Sequence, residues 1–277
     1  MIREILLAME DFDRNEAVRV IVLTGKGRAF SAGADIDEMT DANPISLELL
    51  NQFTDWDRIA QVKKPIIGAV KGFVFGGGFE LALCCDLLIS STDTEFAFPE
   101  VGLGVMPGAG GTQRLTKLVG RTKALQWLWS GERIPAEVAL AHGIINRIVA
   151  PELLMEETMK FAERLAKQPP LSVRLIKDSV NKAVDSSLYE GMQYERKNFY
   201  LLFATQDQKE GMNAFIEKRK PDYRGTQHRG GLRGAAVRLQ SRCRSGPGAG
   251  GLDGRLRVFE DPRGPRRAHG QTHLRSG

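Results

Sequence analysis

The chain has 277 residues, 42% hydrophobic and 26% charged, enough to bury a substantial core; a small peptide scaffold and a wholly disordered chain are excluded. Its net charge of +5 and isoelectric point near 9.1 invite a nucleic-acid or anionic-surface reading. That charge averages two unlike segments: residues 1–225 hold fourteen Lys, fourteen Arg and thirty-one acids, net −3, whereas residues 226–277 hold eleven Arg, no Lys, three acids and eleven Gly, net +8.

Taken in chain order, Ile2, Ile5, Leu6, Met9 and Phe12 recur at helical spacing, and the β-branched run from Val18 to Leu23, closed by Thr24-Gly25, predicts a buried strand. A Gly-rich loop follows through Gly25, Gly27 and Gly33. Asn43-Pro44 supplies a cap and a proline at the first helical position, so a second helix is expected there. Pro65 to Val70 predicts a second strand, Phe79 to Cys85 a short helix and Leu87 to Ser90 a third strand. Helices are expected at 113–119, 122–128, 135–141, 151–167 and 170–184 and in two further segments ending near Arg219, with one strand at 144–149. Strands alternating with helices predict an α/β architecture followed by a helical region. The tail from Thr226 has no sustained apolar period and is expected to form no packed fold.

Three cysteines, two of them adjacent (Cys84, Cys85) and one in the tail (Cys243), cannot make a disulfide framework, which points to a reducing compartment. No run approaches the ~20 apolar residues of a membrane span, and no secretory signal is evident. Only His142 lies before the tail, so a His-based metal site or a Ser-His-Asp triad has almost no material. The glycine-rich loops do not fit phosphate templates. A P-loop ending at Thr112 would need Lys at the position of Gly111 and Gly at that of Val105, and no G-x-G-x-x-G survives.

Glu80 stands out as one charge in the apolar stretch 79–85, directly after Gly76-Gly77-Gly78. An unpaired buried carboxylate costs several kcal/mol, more than decoration of a helix N-terminus returns. Glu100, between Phe98-Pro99 and Val101, has the same character. Two carboxylates in apolar settings, beside a helix N-terminus able to hold a developing oxyanion, are the parts needed for proton transfer next to a carbonyl. The loop from Phe30 to Ile36 could supply a second N–H donor.

Four segments in this order, Ser31-Ala32-Gly33-Ala34-Asp35-Ile36, Gly76-Gly77-Gly78-Phe79-Glu80, Phe98-Pro99-Glu100 and Pro107 to Leu115, resemble the successive signatures of the crotonase (enoyl-CoA hydratase/isomerase) superfamily, closest to its enoyl-CoA hydratases. The likeness runs from about Met1 to Arg224. It implies a crotonase-like β/α spiral core over 1–160 and a helical trimerisation region over 161–225, with 226–277 a disordered tail. Family members open with a hairpin and an Asn-Arg-Pro-like turn that do not appear before the first helix, so the N-terminal strands are expected to be missing.

The resemblance further implies a lyase of fatty acid metabolism and β-oxidation, adding water reversibly and syn to a trans-2-enoyl-CoA to give the 3-hydroxyacyl-CoA. Ala34 and Gly77 match the oxyanion-hole positions, and Glu80 and Glu100 the two acid/base residues. Asp35 and Ile36 would lie beside the thioester or pantetheine. Phe215 and Lys218 match positions that cover the nucleotide end of coenzyme A across a subunit boundary, core packing being the other reading of Phe215. Gly108 to Thr112 is read as shaping the acyl pocket. No cofactor or metal is implied, coenzyme A being part of the substrate. The expected partners are the acyl-CoA and further copies of the chain, as a trimer or dimer of trimers; neither membrane nor nucleic acid is expected. The expected compartment is the cytoplasm, or the mitochondrial matrix if a targeting segment is missing. The alternatives are a hydratase of a branched enoyl-CoA such as methylglutaconyl-CoA, a truncated inactive homologue, and nucleic-acid binding through the Arg-rich tail.

Overall fold

The computed structural model of the protein describes residues 1–33, 43–51, 53–225 and 254–260. The first helix, Ile2–Arg14 (α1), buries the predicted stripe of Ile5, Leu6, Met9 and Phe12 against the strand Val18–Gly25 (β1) and the helix Thr54–Ala60 (α3). Between them in sequence, Pro44–Leu50 (α2) begins as expected, with Asn43 and Ser46 forming a reciprocal cap and Pro44 at the first turn.

In the main sheet β1 pairs in parallel with Ile66–Val70 (β2), β2 with Leu87–Ser91 (β4), and β4 with Arg147–Val149 (β7). These strands read as continuous apolar runs because both sheet faces are covered. Ile21, Leu23, Ile66, Val70 and Leu88 enter the larger core with α1, α3 and the helix Gly77–Leu83 (α4). Their neighbours Val20, Val22, Ile67, Ala69 and Ile89 pack with Leu154 and Ala162 of Leu154–Ala166 (α8). The expected boundary at residue 160 falls inside α8; the cover of the sheet extends to the end of that helix.

A second sheet consists of Phe73–Phe75 (β3), Glu95–Ala97 (β5) and Ile134–Pro135 (β6), with β3 and β5 parallel and β5 and β6 antiparallel. These strands are two or three residues long, too short to display a period, which is why the sequence gives no sign of them. The strand expected at 144–149 is shorter, since Ile144 and Ile145 are buried in the core ahead of β7. The remaining helices are Gly111–Val119 (α5), Arg121–Ser130 (α6), Ala136–Ala141 (α7), Pro170–Asp185 (α9), Leu188–Leu202 (α10) and Gln206–Ile216 (α11), all close to their predicted positions. Among the described residues no helix is long and apolar enough to cross a membrane.

The expectation for the tail needs one amendment. Gly254–Glu260 forms a strand (β8) that pairs antiparallel with β1, from Val18 opposite Glu260 to Gly25 opposite Gly254, with an irregularity between Val18 and Val20. The body delivers the chain to that edge: Asp207 accepts from the N–H groups of Arg224 and Gly225 at 2.8 and 2.9 Å, and Arg19 of β1 donates to the Arg224 carbonyl at 3.2 Å. On β1, the Ile21 N–H donates toward β2, to the Pro65 carbonyl, so the alternate N–H groups of Val20, Val22 and Thr24 face β8. Hydrogen exchange should find these three amides protected in the full chain and faster in a chain ending at Gly225, with Ile21 and Leu23 unaffected. Equal rates in the two proteins would contradict the pairing.

Candidate active site

The site forms where β3 leaves the second sheet. Residues 30–31 run alongside it: Ser31 bridges Val74, its N–H donates to the Phe73 carbonyl at 3.1 Å, and its own carbonyl accepts from the Phe75 N–H at 2.9 Å. This brings Gly33 beside the end of β3. β3 then enters Gly76, whose φ of 51° lies in the left-handed region; a Cβ there would also sit 3.0 Å from Glu100 Oε1. Gly77 opens α4, so its N–H is one of those for which a helix provides no partner. Trp56 of α3 lies 3.8 Å from the position of a Cβ on Gly77.

Glu80, one turn into α4, is buried at 4% exposure. Its Oε1 accepts from the N–H of Ala109 at 2.7 Å and of Gly111 at 2.8 Å. These charge-assisted bonds offset the burial that the sequence left unexplained. Burial still raises the Glu80 pKa, opposed by the N–H groups of Gly111 and Ala109 and by the charge of Arg114. The segment 108–112, expected only to shape a pocket, therefore clamps this carboxylate. A buried acid ahead of a glycine-rich helix start was the available signal, since buried polar groups find partners.

Glu100 lies in the 3-10 turn Pro99–Leu103 that follows β5. Its Oε2 is buried with no hydrogen-bond partner among the described residues. Burial, reinforced by the nearby charge of Glu80, pushes its pKa up to about 7. An aromatic stack fixes the two glutamates relative to each other. Phe79 of α4 stacks on Phe98 at a centroid distance of 4.6 Å, and the Phe98 ring lies 2.8 Å from where a Cβ on Gly111 would be. One carboxylate with two donors thus stands near another with an unmatched oxygen, an arrangement suited to holding a single proton between them.

The predicted residues divide accordingly. Glu80, Glu100 and Gly77 come together. Ala34, Asp35 and Ile36 lie outside the described residues. Phe215, on α11, is 85% exposed, so it is not part of this chain's core; Lys218 follows it with φ 53°. Trp56, Phe79 and Phe98 were missed as site-forming residues, and Ala109 and Gly111, read as shaping the pocket, were not foreseen as a clamp on Glu80, because these contributions depend on contacts between distant segments. Among the described residues no group of three or more His, Cys, Asp or Glu side chains could hold a metal ion.

A profile of the family described as enoyl-CoA hydratase/isomerase matches residues 1–227. A curated protein of Rhizobium meliloti (strain 1021), named probable enoyl-CoA hydratase, is 43% identical over 224 residues, which is 81% of this chain and 87% of that protein. The crotonyl-CoA hydratase of Syntrophomonas wolfei subsp. wolfei is 41% identical over 225 residues, 80% of this chain and 85% of its own. Among solved structures, the enoyl-CoA hydratase subunit I of Geobacillus kaustophilus HTA426 superposes with a TM-score of 0.80 at 68% identity, covering 81% of this chain and 88% of that one. The profile spans α1 through the end of the helical region, and the relatives align over the same four-fifths of the chain: it belongs to the enoyl-CoA hydratase/isomerase family.

Proposed function

We propose that the chain is an enoyl-CoA hydratase in which Glu80 and Glu100 share one proton and add water reversibly across the double bond of a trans-2-enoyl-CoA. The observation that carries this reading is the contrast between the carboxylates: two N–H groups oppose the effect of burial on Glu80, while Glu100 Oε2 has no hydrogen-bond partner among the described residues and burial pushes its pKa up to about 7. Glu80 takes a proton from water as the new C3–O bond forms. The electron pair of the double bond moves toward the thioester oxygen, where the N–H groups of Gly77 and Ala34 stabilise the charge; one such donor is worth about 10²–10³ in rate. Glu100 then delivers its proton to C2, giving the 3-hydroxyacyl-CoA. Dehydration runs through the same singly protonated pair with the proton on Glu80, so both directions have the same pH limits. The step as written draws on water alone and needs no cofactor.

In this reading Asp35 and Ile36 flank the thioester or pantetheine, and the chain assembles as a trimer or dimer of trimers. Exposed Ile176, Val180 and Val184 on α9, Phe199 and Tyr200 on α10, and Phe215 on α11 support the assembly, since a surface this apolar marks an interaction site. Phe215 and Lys218 would then reach the coenzyme A of a neighbouring copy. A cytoplasmic location accords with the buried free thiol of Cys84 and the half-buried one of Cys85. Incubated with crotonyl-CoA, the protein should remove the enoyl absorbance and yield 3-hydroxybutyryl-CoA as sole product. A substrate left unchanged, or converted to an isomer with no hydroxyl, would overturn the proposal.

A further inference from the structure

Arg114 lies in the first turn of α5, three residues after Gly111, and the reaction as proposed gives it no task. Its placement carries two costs. A cation in the opening turn of a helix meets the positive end of the helix dipole. Its Nε is also buried without a hydrogen-bond partner, and it forms no ion pair among the described residues. Buried donors left in this way are rare enough to require a reason.

The side chain folds back onto Gly110. Nε, Cδ and Cζ lie 3.1, 3.7 and 3.8 Å from the point that a Cβ on Gly110 would occupy. Gly110 is the middle residue of the clamp, between the two N–H groups that hold Glu80 Oε1. The guanidinium therefore packs on the clamp loop, and its charge acts on the Glu80 carboxylate, whose burial weakens screening.

We propose that Arg114 is a positioning residue of the site: packed on Gly110, it holds the Ala109–Gly111 clamp against Glu80 and keeps negative charge on that carboxylate. This rests on the reading of Glu80 as the group that takes the proton from water. The groups acting on Glu80 and its neighbourhood are Glu100 from the 3-10 turn, Cys84 at the C-terminal cap of α4, Asp57 from α3 acting on Cys84, and Arg114 from α5. Cys84 is neutral, its thiol pushed up to about 11 by burial. Asp185 of α9 also feels the charge of Arg114. Of these groups Arg114 alone is positive, so removing it leaves burial opposed only by the two backbone donors.

The test compares Arg114→Gln with Arg114→Lys, reading the titration of the ¹³C-labelled Glu80 carboxyl in the free protein and the acidic limb of kcat/KM for crotonyl-CoA. Arg114→Gln should move both upward by about one pH unit, a roughly tenfold loss of rate on that limb. Arg114→Lys, which keeps the charge, should move them back toward the unsubstituted protein. If Arg114→Gln does not fold, Arg114→Met, which keeps an apolar stem against Gly110, takes its place with the same expected shift. An unchanged Glu80 titration in the neutral variant, or a lysine variant displaced as far as the neutral one, would overturn the proposal. Failure of the unsubstituted protein to hydrate crotonyl-CoA would remove the hydratase reading instead; the carboxyl titration needs no substrate and decides on Arg114 separately.

Discussion

Glu100→Gln is expected to lower kcat for crotonyl-CoA hydration by about 10²–10⁴-fold while leaving the fold and substrate binding nearly unchanged. The side chain keeps its size, and Oε2 makes no hydrogen bond that the amide would break. What is lost is the proton that burial holds on this carboxyl up to about pH 7. Glu80→Gln should cost as much in rate, with an added structural effect. Its Oε1 accepts from two N–H groups, and an amide in place of the carboxylate exchanges two charge-assisted bonds for weaker neutral ones. The double variant should be scarcely slower than either single one, because the two residues act as a unit. Steady-state rates on proteins of matched circular dichroism check these outcomes; a single variant retaining more than about a tenth of the rate would remove that residue from the proposed chemistry.

The second large effect is expected at Gly78→Ala. A Cβ there would stand 2.3 Å from Ser31 Oγ and 2.5 Å from both the Ser31 Cβ and its carbonyl oxygen. The carbonyl is fixed by the Phe75 N–H at 2.9 Å, so relief requires separating residues 30–33 from the start of α4. Overpacking of this kind costs about 1–3 kcal/mol. The same separation moves Gly33 away from the start of α4, and, on the role proposed for the Gly77 N–H, a loss of about 10²-fold or more in kcat/KM is expected. Thermal unfolding and hydration kinetics should therefore both change. Gly27→Ala, where a Cβ meets nothing within 4 Å, is the control that should change neither. A Gly78→Ala protein as stable and as active as the control would show that the two segments are not held together as described.

Particular residues show how much of this was legible in the sequence. The apolar runs 18–23 and 66–70 read as buried strands because helices cover both faces of the sheet, and the stripe from Ile5 to Phe12 read as a helix because only one of its faces is buried. β3, β5 and β6 left no periodic signature, yet β3 is the element that sets Gly33 beside Gly76 and aims α4. Glu80 and Glu100 were recognisable as charges in apolar surroundings, and the ordered signatures gave them roles. Their division of labour was not legible. The proposed division rests on N–H groups 29 and 31 residues further along the chain and on a Glu100 Oε2 with no such donor among the described residues, both matters of tertiary contact. The +5 net charge was the least informative number, since the segment bearing the chemistry is net −3 by its twenty-eight Lys and Arg against thirty-one acids.

The central claim is that hydration runs through a Glu80/Glu100 pair holding one proton, and the pH dependence of kcat/KM for crotonyl-CoA with the unsubstituted protein tests it most directly. The rate should fall on the acidic side as Glu80 gains a second proton for the pair, and about tenfold per pH unit above about 7 as Glu100 loses the last one. A rate that stays level between about pH 5 and about pH 9 would contradict it.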